Sequence, residues 1–366
     1  MPVIEPLERF ALALEQLRLC RDLLLDGSPA KARMAVILLD GLADAFLYRR
    51  LERLYDLSES DFVGIGPFPK EMRRQARLDF GTRLRLCADP TGDAFVSGGR
   101  GPLVTTDTAV VLRVGHSYRN AAYHRDRHNP ATIGAVGRLF FTAVADLFVR
   151  SQRTGYASGG FPDSQLARLR ELDVPMQGSS VAWREAAGGL AHELGAGLEV
   201  AHEDLVNLLA TDLEERADAI DELVADVPGG PDNLDSLMAS LEFQDVHGAD
   251  EKLLVLRERR DPVRRSILRS LPLTQELRDE AAEADRAYGQ RLGELTRTWH
   301  ARATMRTLDD ARAVAERLDR DRDTLRILTT YQEMDGTLDI LEDYSLRAVL
   351  EIDRYVDMQI EAMRGR

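Results

Sequence analysis

The chain has 366 residues, of which 44% are hydrophobic and 30% are charged, with 62 acidic against 48 basic side chains. This length and composition fit one large or two ordinary globular domains. Its apolar stretches are interrupted by polar residues well before the roughly 20 residues that a membrane-spanning helix needs. Residues 1–10 lack the basic start and apolar run of a secretory signal, and Cys20 and Cys87 are too few for a disulfide framework. We therefore expect a cytoplasmic protein without a membrane span.

The net charge is unevenly distributed along the chain. Residues 1–150 sum to about +3 and residues 151–366 to about −17, which together give the net charge of −14. Phosphate binding needs clustered Lys or Arg side chains. Any nucleic-acid surface is therefore expected in the first part of the chain, and the acidic remainder should have another role.

Helical patterns fill the first part of the chain. Apolar residues at spacings of three and four predict a hairpin of two helices, with Ser28 and Pro29 starting the second helix after a short connection. Further helices are predicted at 70–86, from the capping residues Thr105 to Asp107 toward Tyr118, and at 132–150. The glycine-rich loop Ser97–Gly101 lacks the Gly-Lys-Ser/Thr ending of a phosphate-binding loop, so we interpret it as a flexible connection.

A Gly- and Ser-rich stretch at 155–164 is the strongest linker signal. It predicts a helical domain at 1–154, a linker at 155–164 and a second, acidic all-helical domain at 165–366. Strand patterns are nearly absent, so the fold class is predicted to be all-α. Helices in the second domain are expected at 165–172, 181–225, 234–259, 263–270, 274–303, 308–334 and 336–363.

Three of the seven histidines, His116, His124 and His128, fall within thirteen residues. A metal site would place two histidines four residues apart with a carboxylate close by. Here the neighbouring charged side chains are mostly arginines, which repel a divalent cation: Arg113, Arg119, Arg125 and Arg127. We therefore expect no metal and no cofactor at this segment.

Arginine and histidine without a metal are suited to cutting RNA. The 2′-hydroxyl of RNA attacks the neighbouring phosphate when one group removes its proton, a second stabilises the added negative charge and a third protonates the leaving oxygen. Histidine is suited to the proton transfers. Arginine is suited to the charge, because its planar fork holds two phosphate oxygens and never deprotonates.

The segment Arg119-Asn120-Ala121-Ala122-Tyr123-His124 resembles the motif of the HEPN-domain ribonucleases, an Arg and a His separated by four to six residues with a polar residue directly after the arginine. With 45 arginines and seven histidines in 366 residues, chance gives about 0.9 Arg-x4-His pairs. The requirement for one of the four asparagines beside the arginine lowers this to about 0.01. The helical hairpin and the basic helix that precede the motif follow the family order. The resemblance covers residues 8–152 and implies a HEPN-like helical bundle followed by the acidic helical domain.

The resemblance also implies roles for individual residues. Arg119 would bind and stabilise the scissile phosphate, His124 would act as general base or acid, and Asn120 would orient His124 or contact the RNA. Asp44 and Tyr123 would support the site. The surrounding basic side chains would bind the substrate: Arg125, Arg127, His116 and His128.

The spacing of the motif raises a geometrical question. Five residues at about 100° each place Arg119 and His124 about 140° apart on a straight helix, so the two side chains do not converge unaided. Either the motif lies at a helix end, or two copies complete the site across a two-fold axis. HEPN ribonucleases are typically dimers with facing motifs, so the resemblance implies a homodimer.

Three functions remain as hypotheses. The first is a metal-independent HEPN endoribonuclease acting on RNA, of a kind that belongs to toxin–antitoxin or anti-phage systems and is restrained by an antitoxin or regulatory protein. The second is a catalytically inactive HEPN scaffold, in which Arg119 pairs with Asp44 or Asp126 and the acidic half binds a partner. The third, an enzyme that modifies nucleotides, lacks a nucleotide-binding signature.

Overall fold

A computed structural model describes residues 6–59, 70–88, 103–122, 130, 132–152, 156–158, 163–176, 180–225, 304–318 and 320–364, with residues 234–235, 238, 241, 279, 282–283 and 286–287. These residues are almost entirely helical, which confirms the predicted all-α class. Within the described ranges the one sheet is a pair of three-residue strands.

The elements are numbered in chain order over the described residues. They are α1 (Pro6–Leu25), α2 (Pro29–Glu59), α3 (Lys70–Leu78), α4 (Phe80–Ala88), α5 (Thr106–Asn120), α6 (Thr132–Ser151), β1 (Tyr156–Ser158), α7 (Asp163–Glu171), β2 (Ser180–Ala182), α8 (Trp183–Gly195), α9 (His202–Ala225), α10 (Thr304–Leu318) and α11 (Thr324–Arg364).

The predicted hairpin of the first two helices is present. Gly27 supplies the turn between α1 and α2 with a φ of 78°, a backbone conformation that glycine adopts without steric cost. Leu14 and Leu17 on α1 are fully buried, and Gln16 Nε2 donates to the Leu38 carbonyl of α2 at 2.6 Å. The two helices therefore form one wall of the bundle.

Helix α6 is the centre of this bundle and packs against α1, α2, α5 and α8. Its residues Phe140, Phe141, Val144 and Phe148 are buried. By length and composition α6 is the one helix among the described residues that is apolar enough to cross a membrane, but 67% of its apolar window is buried inside the structure. Burial against four neighbouring helices accounts for its apolar sequence.

Several predicted helices have other limits in the structure. The predicted helix at 70–86 divides at Asp79, whose carboxylate accepts the Thr82 N–H and caps α4. The predicted helix at 181–225 divides at residues 196–201, where Gly197 has a φ of 83°. The predicted break at Asp335 is wrong, because α11 runs through Gly336 without interruption. The chain breaks instead before Thr324, where Asp323 accepts the N–H groups of Leu325 and Arg326. The predicted helices at 234–259, 263–270 and 274–303 lie almost wholly outside the described residues.

The chain forms two compact units, with limits that differ from the predicted domains. The first unit comprises Met1–Asp212 and Arg317–Gln332, and the second comprises Leu213–Glu316 and Glu333–Arg366. The predicted boundary at 155–164 therefore lies inside the first unit. There β1 pairs antiparallel with β2, and Trp183 at the start of α8 packs its ring 5.0 Å from that of Phe10 on α1. These contacts join residues 156–195 to the N-terminal bundle.

In the second unit, arginines neutralise part of the acidic charge. Arg216 on α9 lies 2.7 Å from Asp339 and 3.4 Å from Glu342 on α11, and also contacts Asp335. On α10, Arg312 lies within 2.9 Å of Asp218 and Asp221. These pairs link acidic helices that would otherwise repel each other.

Candidate functional site

The Arg-x4-His motif begins at the C-terminal end of α5. The helix starts at the cap residue Thr105, whose hydroxyl accepts the Thr108 N–H at 3.1 Å, and ends at Asn120. Ala121 and Ala122 follow in π-helical conformation. Arg119 and Asn120 are therefore the last two residues of the α-helix. Over the described part of the motif, residues 119–122, the α-helix ends after Asn120.

Asp40 on α2 brings two residues of α5 together. Its side chain is only 6% exposed, with Oδ1 lying 2.7 Å from His116 Nδ1 and Oδ2 lying 3.2 Å from Arg119 Nε. His116 and Arg119 are three residues apart and so lie on one helix face. Because a carboxylate only accepts hydrogen bonds, Nδ1 of His116 carries a proton and Nε2 is the nitrogen that exchanges one. One buried carboxylate thus sets the orientation of an imidazole and a guanidinium.

Phe80 holds the other side of the imidazole. The rings of Phe80 and His116 are stacked, with centroids 4.0 Å apart and planes inclined by 6°. Phe80 is the first residue of α4 and is buried. The Asp79 cap therefore begins the helix at the residue that packs on His116. Together Asp40 and Phe80 fix both the plane and the tautomer of the ring.

A second ion pair lies beside this one. Arg83 on α4 contacts Asp44 on α2 at 2.5 Å, and its Nη1 donates to the Ala76 carbonyl at 2.9 Å. The Arg83 side chain is 9% exposed and lies 6.0 Å from the centre of the Phe80 ring. Asp40 and Asp44 are one helical turn apart on α2. The arginine that contacts Asp40 comes from α5, and the arginine that contacts Asp44 comes from α4.

Two further contacts hold the end of α5. Arg119 Nη1 donates to the Asn120 side-chain oxygen at 2.9 Å, so the two residues contact each other directly. Arg33 on α2 donates to the carbonyl of Ala122, in the π-helical segment that follows α5. The backbone between Arg119 and the rest of the motif is therefore held against α2.

These contacts test the structural partners named from the sequence. The structural alternative paired Arg119 with Asp44 or Asp126. Arg119 contacts Asp40, and Asp44 contacts Arg83. The pairing with Asp126 is not tested, because residue 126 is not among the described residues. His116, expected to bind substrate, has Nδ1 occupied by Asp40. The remaining predicted site residues lie outside the described residues: Tyr123, His124, Arg125, Arg127 and His128. The Ser97–Gly101 loop and Asp126 also lie outside them.

Sequence reasoning missed Asp40, Phe80 and Arg83. The sequence carried one signal for the first of these. Asp40 and Asp44 are the only acidic residues in the apolar part of α2 between Ala35 and Leu47, and they lie four residues apart. A carboxylate on the buried side of a helix needs a cationic or hydrogen-bonding partner. Which helices would supply the partners depends on how α4 and α5 pack.

In the described part of the chain no three His, Cys, Asp or Glu side chains are grouped so that they could hold a metal ion. The chemistry that this arrangement offers is anion binding by arginine and proton transfer by a fixed imidazole. Comparison of the chain with protein-family models, with curated proteins and with solved structures gives no match. Its function is therefore inferred from its own residues.

Proposed function

We propose that this protein is a metal-independent endoribonuclease of the HEPN type. The observation that carries the proposal is the pair of contacts that Asp40 makes with His116 and Arg119, at the helix end where the Arg-x4-His motif begins. A structural arginine needs only a carboxylate. Here one buried carboxylate holds both an arginine and an imidazole, and 26% of the imidazole side chain is exposed. Cleavage at a phosphate needs these two groups, an arginine to stabilise negative charge and an imidazole to transfer protons.

In this proposal Arg119 binds the scissile phosphate and stabilises the negative charge that develops on it. The guanidinium is already oriented by Asp40 and Asn120, so little reorganisation is needed when RNA binds. His124 takes part in the proton transfers, and Asn120 contacts the RNA or orients His124. The RNA backbone is bound by the basic side chains that follow the motif: Arg125, Arg127 and His128. Tyr123 supports the motif.

The proposal extends to assembly and context. Two copies of the chain form a homodimer in which both motifs face one cleft, and the enzyme acts in the cytoplasm. A cytoplasmic nuclease of this type is a toxin or an anti-phage effector that an antitoxin or regulatory protein restrains. The acidic residues of the second unit are the proposed contact for a basic partner of this kind, because opposite charges attract.

The test is cleavage of total cellular RNA by the purified full-length protein in excess EDTA. We expect discrete fragments from the wild type, and a loss of at least about 100-fold for Arg119→Ala and for His124→Ala. Arg113→Ala is the matched control, because Arg113 is an exposed arginine on the same helix. Each variant is checked by circular dichroism and thermal unfolding.

Different results would contradict separate parts of the proposal. Intact RNA with the wild type would contradict an unregulated nuclease. Cleavage that EDTA abolishes would contradict the metal-free mechanism. Cleavage that survives Arg119→Ala would place the active site elsewhere. A mass corresponding to one chain, measured by light scattering during cleavage, would contradict the dimer.

The competing function is a catalytically inactive scaffold. The ion pair between Arg119 and Asp40 favours it, because this contact also holds α5 against α2. Under this alternative, Arg119→Ala lowers the melting temperature and the purified wild type leaves RNA intact. Expression in cells separates the two functions as well. Toxicity that Arg119→Ala removes, without loss of the folded protein, supports the nuclease.

A further inference from the structure

His116 is held on two sides. Its Nδ1 contacts Asp40, and its ring is stacked on Phe80. Only Nε2 remains for exchange with a substrate or solvent. A carboxylate that orients an imidazole so that its other nitrogen transfers a proton is the arrangement found in acid–base catalysis.

Charged groups from two other helices lie near this ring. The Asp40 carboxylate from α2 lies within 3.2 Å of both the His116 imidazole and the Arg119 guanidinium, which share one face of α5. Phe80 from α4 covers one face of the imidazole. Arg83 from α4 lies 6.0 Å from the centre of the Phe80 ring and is paired with Asp44 from α2. Among the described residues, the charged group in contact with the imidazole is therefore Asp40.

We propose that His116 is the general acid of the RNA cleavage, with Asp40 as its positioning residue. The assignment rests on the proposed nuclease function and adds a second proton-transferring group to it. The motif of each copy supplies one histidine, His124, and the reaction needs one group to accept a proton and another to donate one. His116 supplies the second group within the same copy as Arg119. His116 lies one helical turn from Arg119, on the face that binds the phosphate in this proposal.

Two protons move in the proposed cleavage step. The 2′-oxygen forms a bond to phosphorus and gives its proton to the general base, for which His124 is the candidate. The bond between phosphorus and the 5′-oxygen breaks, and Nε2 of His116 gives that oxygen its proton. The products are a 2′,3′-cyclic phosphate and a 5′-hydroxyl. His116 is left neutral, keeps Nδ1–H on Asp40 and regains a proton from water.

The test compares two leaving atoms. A short RNA is built around the strongest site mapped in the total-RNA digestion, once with the natural 5′-oxygen and once with sulfur replacing that bridging oxygen. A thiolate leaves without protonation, so this substrate needs no general acid. Wild type, His116→Gln and Arg119→Ala are assayed on both RNAs. The ratio of the two rates within one preparation is independent of the folded fraction.

We expect His116→Gln to cut the oxygen substrate about 100- to 10,000-fold more slowly than the wild type, and the sulfur substrate less than about 10-fold more slowly. Arg119→Ala should be slow on both, because phosphate binding is needed in either case. The wild-type rate on the oxygen substrate should fall as the pH rises and the acid loses its proton. His116→Gln should lack this alkaline fall.

Asp40→Asn provides the second variant, because its amide oxygen still accepts from His116 but carries no charge. It should slow the oxygen substrate more than the sulfur substrate, and it should do so less severely than His116→Gln. Equal slowing of both substrates by His116→Gln would overturn the acid assignment and leave the nuclease intact. Retention of the alkaline fall in His116→Gln would overturn it too. No cleavage by the wild type would contradict the nuclease itself, and the assignment of His116 with it.

Discussion

The hydroxyl of Tyr118 lies 2.8 Å from the hydroxyl of Tyr331, and both side chains are buried in the first unit. Tyr118 directly precedes Arg119 on α5, whereas Tyr331 lies 213 residues away on α11. The Tyr331 hydroxyl also donates to the carboxylate of Asp212, which is buried on α9. The helix that carries Arg119 is thus fixed by residues from distant parts of the chain.

We expect Tyr331→Phe to lower the free energy of unfolding by about 1–3 kcal/mol, because it removes a buried hydrogen bond from both Tyr118 and Asp212. Urea denaturation measures the change. Tyr48→Phe is the matched control, because Tyr48 is 39% exposed, and it should change stability by less than about 0.5 kcal/mol. Equal effects of the two substitutions would mean that the buried contact contributes nothing.

Gly115→Ala should destabilise the protein and disturb the site. An added Cβ at Gly115 would lie 2.4 Å from Phe140, so α5 would have to move away from α6. Overpacking of this kind costs about 1–3 kcal/mol. The residue next to Gly115 is His116, so the shift should also slow RNA cleavage. Thermal unfolding and the RNA assay measure the two effects.

Gly41→Ala is the matched control for that substitution. An added Cβ at Gly41 meets nothing within 4 Å, and the residue lies exposed in the middle of α2. Replacing a helical glycine with alanine at such a position should raise stability by about 0.5–1 kcal/mol. Destabilisation by both substitutions would show that steric contact with Phe140 is not the cause at Gly115.

Asp79→Ala should cost about 1 kcal/mol, because the Asp79 carboxylate caps α4 by accepting the Thr82 N–H. Asp79→Asn keeps a capping oxygen and should cost much less. Hydrogen bonds from Thr82 hold the pKa of Asp79 below its ordinary value. A carboxyl whose pKa is lower in the folded than in the unfolded protein stabilises the fold at pH values above its unfolded pKa, here near 3.8. This stabilisation is lost as the pH falls and the folded carboxyl becomes protonated. The difference between wild type and Asp79→Ala should therefore shrink below about pH 4.

The buried thiol of Cys20 predicts a loss of stability at alkaline pH. Burial raises the pKa of Cys20 from 9.0 to about 12. Between these values the folded protein keeps a proton that the unfolded chain has released, so the free energy of unfolding falls as the pH rises. Cys20→Ala should lack this part of the decline, which urea denaturation between pH 8 and about 10.5 would measure.

Both cysteines are buried, so a thiol reagent should label neither in the native protein at pH 8. Rapid labelling of Cys20 there would contradict its burial.

The amino-acid sequence determined the helical class and the first hairpin, because apolar spacing, caps and a glycine turn act within a few residues. It also marked Arg119, Asn120 and the surrounding basic segment as the place to search. It did not separate α3 from α4 at Asp79 or continue α11 through Gly336. A glycine inside a helix costs only about 1 kcal/mol, which packing of the neighbouring turns offsets.

Only the tertiary structure decided the partners within the site. From the sequence the candidate partners of Arg119 were Asp44 and Asp126, and Asp40 was missed, because which carboxylate of α2 meets Arg119 depends on where α4 and α5 pack. Phe80 and Arg83 join the site for the same reason. The joining of residues 156–212 to the N-terminal bundle likewise depends on long-range burial, such as that of Trp183 against Phe10. Contacts between residues far apart in the chain leave no periodic trace in either segment, and they place the buried Asp40 carboxylate against His116 and Arg119, which already share one face of α5.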